Sequence, residues 1–248
     1  MIVSTQKDLE QLRHIGGIVA RTLREMAAAL EPGISTAELD AIGEAALARE
    51  GAVSAPMSSY NFPGATCISV NEEAAHGIPG SRLLRKGDLV NIDVSASKNG
   101  YFADTGASFA VGPVRRDLAQ LLADGKRALD IGLQEVRAGA QIAAIGTAIG
   151  KFAEKRGYTL IRNLASHGIG RKLHEYPGEI ATWPNKRDRR LLTKGLVLTV
   201  EPFLSMGGTY ASQAADGWTL ISEPSAPCVQ FEHTVVTSDR GPIILTLP

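Results

Sequence analysis

Apolar residues recur at helical spacing from Leu12 through Ile15, Gly16, Val19, Leu23 and Met26 to Leu30, which predicts a first amphipathic helix. Thr5 and Asp8 stand in front of it as a capping box, and Pro32 with Gly33 ends it. Ser35 with Glu38 opens a second helix that carries Leu39, Ile42 and Leu47 and closes at Gly51; a third and a fourth are predicted over 117–137 and 141–156. Apolar runs or alternation mark extended segments at Val70 and over 89–94, 102–111, 159–164, 196–201, 219–222, 229–237 and 243–247. Helices in pairs followed by strands in pairs predict an α+β fold, with helices covering one face of a curved, mainly antiparallel sheet. The Pro-, Gly- and Ser-rich stretch 54–64 reads as a loop over a cleft and not as a linker.

Acids interrupt these apolar strands. Alternation over 89–94 sets Asn91, Asp93 and Ser95 against Val90, Ile92 and Val94, and over 196–201 it places Val197, Thr199 and Glu201 on one side. Over 228–236 it sets Gln230, Glu232 and Thr234 against Val229, Phe231 and Val235. With Asp104 and His167, four carboxylates and one imidazole lie in or at the ends of strand-like runs that contain no lysine or arginine. Burying an ionised carboxylate costs several kcal/mol unless a positive partner compensates. Oxygen ligands with one imidazole suggest a divalent metal ion, or a pair of them, as that partner. One acid at a strand end is ordinarily a solvated edge or turn residue.

The chain also repeats itself. The segment 86–93 (KGDLVNID) parallels 194–201 (KGLVLTVE), each ending a Lys-Gly strand on an acid. The stretch 33–51 matches 139–157 in length and in its closing glycine. A duplicated unit folded about a pseudo-twofold axis brings acids from both halves face to face.

Composition serves mainly to exclude. A formal charge of zero and a pI near 7.0 give no reason to expect specific nucleic-acid binding or an anionic membrane. Two cysteines, Cys67 and Cys228, and a start without signal-peptide character predict a reducing, cytoplasmic location and no disulfide framework. Both read as small buried hydrophobes. His14 reads as a surface residue, and His233, of opposite parity to Glu232, as a packed one. The basic run 185–190 (NKRDRR) reads as a solvated loop, with transient contact to ribosomal RNA as the alternative.

Six segments, 71–79 (NEEAAHGIP), 90–94 (VNIDV), 103–106 (ADTG), 166–177 (SHGIGRKLHEYP), 200–202 (VEP) and 230–234 (QFEHT), resemble in order the signature blocks of type I methionine aminopeptidases. The resemblance implies the pita-bread fold, two pseudo-symmetric halves around a dinuclear metal centre. Residues 1–248 then form a single catalytic domain with no N-terminal extension, acting as a monomer. It makes Asp93, Asp104, His167, Glu201 and Glu232 the ligands of two divalent ions (Co, Mn, Fe or Zn), with Asp104 and Glu232 bridging. Glu201 takes the family's role of proton shuttle. His76 and His174 contact the scissile amide, and Phe62, Cys67 and Trp218 line the methionine pocket. Pro56, Ser59, Ser166 and Leu173 depart from the family's usual residues.

The implied activity is removal of the initiator methionine from nascent proteins and peptides whose amine is free and whose second residue is small. Two alternatives share the fold: an Xaa-Pro aminopeptidase or creatinase-like enzyme, whose relatives carry a sizeable N-terminal domain, and a non-enzymatic binding protein, whose relatives lose ligands.

Overall fold

Both capping boxes form. At α1 (Gln6–Ala28) the Thr5 hydroxyl accepts from the Asp8 amide while the Asp8 carboxylate accepts from that of Thr5, and Ser35 with Glu38 repeats the arrangement at α2 (Thr36–Arg49). A computed structural model describes residues 1–247. After α2 come β1 (Val53–Ser54), a short α3 (Ala55–Tyr60), β2 (Cys67–Val70), β3 (Glu73–Ala75), β4 (Leu89–Lys98) and β5 (Tyr101–Ala110). The second half opens with α4 (Arg116–Gln134) and α5 (Ala143–Arg156), then β6 (Thr159–Leu160), β7 (Ser166–Gly168), β8 (Glu175–Ile180) and β9 (Val197–Val200). It closes with β10 (Phe203–Ser205), β11 (Tyr210–Gln213), β12 (Leu220–Glu223), β13 (Cys228–Gln230), β14 (His233–Ser238) and β15 (Gly241–Ile244).

The two halves use the same plan. In the first, β4 pairs antiparallel with β2 and β5; in the second, β9 pairs antiparallel with β7 and β14. Each central strand follows a Lys-Gly turn whose glycine has positive φ, Gly87 at 97° and Gly195 at 80°. Helices α1 and α2 bury Leu12, Ile15, Val19, Met26 and Leu39 against Val90, Ile92 and Val94 of β4. Helices α4 and α5 bury Leu121, Leu129, Ile145 and Ile149 against Leu198 and Val200 of β9 and Val235 of β14. Asn91, Asp93 and Ser95 take the opposite face of β4, as alternation requires. Midway along α1, a Cβ on Gly16 would lie 2.4 Å from the Leu245 carbonyl oxygen, so the segment at Leu245 can approach only a glycine there.

Three expectations need correction. The stretch 54–64 is not all loop: Ser54 caps α3, Pro56 sits in its first turn, and Asn61 ends it at φ 57°. A serine with a proline two residues on, as at Ser54 and Pro56, marks a helix start as well as a turn. Residues 159–164 are extended over Thr159–Leu160 alone. The run 229–237 is two strands, β13 on β10 and β14 on β9. Between them Phe231 bridges Ala107 and the Glu232 amide donates to the Gly106 carbonyl at 2.8 Å, so pairing to the first half outcompetes continuation of one ladder.

Candidate active site

Asp93 and Asp104 come from adjacent strands. Asp93 lies opposite Gly106 and Asp104 opposite Ser95, which puts both carboxyls on the face of the β4–β5 pair turned from α1. The break before β14 delivers Glu232 to the same place, since its amide is tied to Gly106. Strand β7 supplies His167, and Glu201 follows the end of β9.

Neighbours aim each group. Thr199 accepts from the His167 amide at 3.0 Å and donates its hydroxyl to Glu201 Oε1 at 2.7 Å, joining the two second-half groups. Ser166 accepts from the Glu201 amide at 2.9 Å. Asn91 donates to Gln230 Oε1 at 2.8 Å, and Gln230 Nε2 donates in turn to Glu232 Oε2 at 2.9 Å. Asn91, Thr199 and Gln230 alternate onto the same strand faces as the acids, which is the only signal in the sequence for these aiming roles.

His167 Nδ1 lies 3.0 Å from the Gly168 carbonyl oxygen, which can only accept, so Nδ1 carries the proton. The Nε2 lone pair therefore faces Glu201 Oε1 at 3.6 Å and Asp104 Oδ2 at 3.9 Å. Ligand atoms of Asp104, His167 and Glu232 all lie within 4.8 Å of one another, and Asp104 Oδ1 and Glu232 Oε1 are buried without a hydrogen-bond partner among the described residues. Lone pairs converging on one point, two of them orphaned, form a donor set fitted to cations. Among the described residues no lysine or arginine lines this cleft.

Without a cation the site must hold protons. Burial raises the Asp93 carboxyl to about 6, and burial together with neighbouring acids drives Asp104 and Glu232 well above the usual carboxylate range; burial is the chief cause for Glu201 as well. Burial also pushes His167 down to about 3, keeping its imidazole neutral.

The acids floor a cleft of about 710 Å³. Phe62, Cys67, His76, Asp93, Asp104, His167, His174, Glu201 and Trp218 all line it, and Glu232 sits just behind, 2 % exposed. The structure thus brings all ten residues predicted from sequence to one place. Phe62 meets Trp218 edge to face, centroids 5.3 Å apart at 88°, beside the buried Cys67. Asp216 fixes the Trp218 turn by accepting from the Trp218 and Thr219 amides at 2.8 Å. His76 follows β3 with φ 54°, an uncommon backbone for a residue with a Cβ, which turns its ring into the open cleft. Burial lowers the pKa of His76 although its surface is exposed, because the cleft walls crowd a ring that solvent still reaches. His174 is exposed in the cleft, its ring centroid 4.1 Å from that of His167, and burial with the nearby His76 lowers its pKa. Tyr60, given no role from sequence, places its hydroxyl 2.6 Å from His174 Nδ1.

The remaining candidates take quieter places. His233 bonds Thr246 Oγ1 through Nδ1 at 2.8 Å, outside the cleft, and His14 is exposed on α1. Burial raises both thiols, Cys228 to about 12, so neither is a thiolate nucleophile. In the basic run Arg190 pairs with Asp188 and donates to the Pro177 and Glu179 carbonyls, bracing β8.

A family model, metallopeptidase family M24, matches residues 10–239. Methionine aminopeptidase 2 of Bacillus subtilis is 46% identical over 247 residues, 99% of each chain. The crystal structure of methionine aminopeptidase from Rickettsia prowazekii superposes with a TM-score of 0.95 at 34% identity, covering 100% of both chains. Prolidase from Pyrococcus furiosus gives a TM-score of 0.79 at 21% identity, with all of this chain covering 66% of that one, a likeness of fold alone. The fold is the pita-bread fold, and the chain belongs to the methionine aminopeptidases of metallopeptidase family M24.

Proposed function

We propose that this protein hydrolyses the initiator methionine from nascent polypeptides and peptides whose amine is free and whose second residue is small. Two divalent ions would be held by Asp93, Asp104, His167, Glu201 and Glu232. The single observation that carries the reading is the convergence of the His167 Nε2 lone pair with orphaned carboxylate oxygens in a cleft without lysine or arginine. Four carboxylates balance two divalent charges, and oxygen with imidazole ligation is compatible with Mn, Fe, Co or Zn. Bound there, such ions supply a lowered pKa for water and polarisation of the scissile carbonyl.

The chain's own residues do the rest. Glu201, with Oε1 held by the Thr199 hydroxyl, takes the proton of the attacking water on its other oxygen and returns it to the leaving amine. His76 and His174 stand in the cleft as neutral hydrogen-bonding groups for the scissile amide and the oxyanion that develops from it. Phe62, Trp218 and Cys67 seat the methionine, whose thioether packs favourably on aromatic edges. Discrimination at the second residue is steric, because that side chain must fit beside the acids. The enzyme works as a cytoplasmic monomer, and the tied-down Arg190 favours the loop reading of 185–190 over ribosome contact.

The test is a panel of tripeptides assayed for the released amino acid. Rapid cleavage of Met-Ala-Ser, slow cleavage of Met-Leu-Ser and none of its formylated form are expected; strict cleavage before proline would reverse the assignment.

A further inference from the structure

Tyr60 is the last residue of α3, and that short helix is pinned at both ends. Ser54 donates its hydroxyl to the Ala65 carbonyl at 2.8 Å, and the Phe62 amide donates to that of Pro56 at 3.2 Å. Farther along, Asp40 of α2 accepts from the amides of Ala65 and Thr66 at 3.0 and 2.8 Å. From this fixed base the Tyr60 ring leans on the His174 ring, centroids 5.6 Å apart at 54°, and its hydroxyl reaches Nδ1 at 2.6 Å. Among the described residues the phenol has no other hydrogen-bond partner.

A neutral phenol and a neutral imidazole can share this bond in two ways. Either the O–H donates to a bare Nδ1 or an Nδ1–H donates to the phenol oxygen. The phenol is the stronger acid and the imidazole nitrogen the stronger base, so the first arrangement is favoured. A proton excluded from Nδ1 resides on Nε2, across the ring. His167 adopts the opposite tautomer, its Nδ1–H spent on Gly168 and its Nε2 bare. Two imidazoles 4.1 Å apart are thereby given opposite roles by their Nδ1 partners, one a lone pair turned to the acids and the other a donor for the cleft.

We infer that Tyr60 is a positioning residue: its hydroxyl holds His174 as the Nε2–H tautomer, so that His174 donates to the substrate carbonyl as it becomes an oxyanion. The inference rests on the reading of His174 as a substrate contact and selects the donor role for it. The same segment carries Phe62 two residues on, in the wall that seats methionine, so pocket and histidine share one support. Tyr60 is 46 % exposed; water partly replaces its hydroxyl when it is lost, which limits the effect to about tenfold and leaves the fold intact.

The test compares the zinc-loaded protein with Tyr60→Phe, which keeps the ring and deletes the donor. Steady-state hydrolysis of Met-Ala-Ser gives kcat and KM. Nitrogen shifts from 15N-histidine labelling report the tautomer, with the His174 signals assigned by their loss in His174→Ala. Expected is a kcat lowered about tenfold, a KM within about twofold, and a His174 pattern that moves from Nε2–H toward a mixture of tautomers. An unchanged kcat, a change carried by KM, or an unaltered tautomer pattern overturns it. Near-normal turnover by His174→Ala would instead sink the reading of His174 itself. An inactive His174→Ala beside an unaffected Tyr60→Phe would remove the Tyr60 inference alone.

Discussion

Asp93→Asn in metal-free protein is predicted to stabilise the fold, increasingly so as pH rises. Burial holds the Asp93 carboxyl at about 6 against an ordinary 3.8. A folded-state pKa above the unfolded one means that the folded form keeps the proton longer, so the stability present below about pH 4 is lost as pH climbs through about 6. The full difference is about 3 kcal/mol, most of it lost between about pH 4 and about pH 6.5. Histidines act in the opposite direction: His167, pushed down to about 3, is charged only in the unfolded chain over much of that range, so its contribution rises with pH. Both proteins carry the same histidines, so comparing variant with parent cancels them and leaves Asp93 together with the repulsion it exerts on Asp104, Glu201 and Glu232, whose relief in the variant acts in the same direction. Thermal melts in chelator at several pH values should show the variant gaining roughly 6–12 °C on the parent between about pH 4 and about pH 7. With divalent metal present the order should invert, because the parent gains the binding energy and the variant loses a ligand. A gap that does not change with pH, or one that favours the metal-free parent at neutral pH, would refute the argument that burial without a cation destabilises this site.

Other outcomes follow from the same geometry. Gly106→Ala would place a Cβ 2.3 Å from Gln230 Oε1, displacing the amide that aims Glu232; metal affinity measured by calorimetry should fall about 10–100-fold while the protein remains folded. Trp218→Ala removes the edge-to-face partner of Phe62 and should raise KM for methionyl peptides at least about tenfold with a smaller change in kcat. Cys67→Ser and Cys228→Ser should each keep kcat within about threefold, since burial keeps both thiols protonated; loss of turnover in either, with metal still bound, would contradict that.

Features set by local chemistry were legible in the sequence. The capping boxes at Thr5 and Ser35 depend on two side chains three residues apart, and both formed. Alternation in β4 was readable because its faces meet different surroundings, helix on one side and cleft on the other, so Asp93 could be assigned to the cleft before the fold was known. Features set by distant partners were not legible. The break at Phe231 and Glu232 arises from pairing with Ala107 and Gly106, about half the chain away, and nothing in 228–237 announces it. β7 spans only Ser166–Gly168, too few residues for any periodicity to register. Tyr60 looked like one more residue of a polar loop, because its significance lies in a histidine 114 positions later.

Calorimetric metal titration of the chelated protein, with Met-Ala-Ser hydrolysis followed on the same samples, tests the central claim most directly. No turnover before metal is added, activity that rises with occupancy, and loss of both binding and turnover in Glu232→Gln are expected. Demetallated protein that hydrolyses the peptide as fast as the loaded form, or a Glu232→Gln variant that binds and works normally, would contradict it.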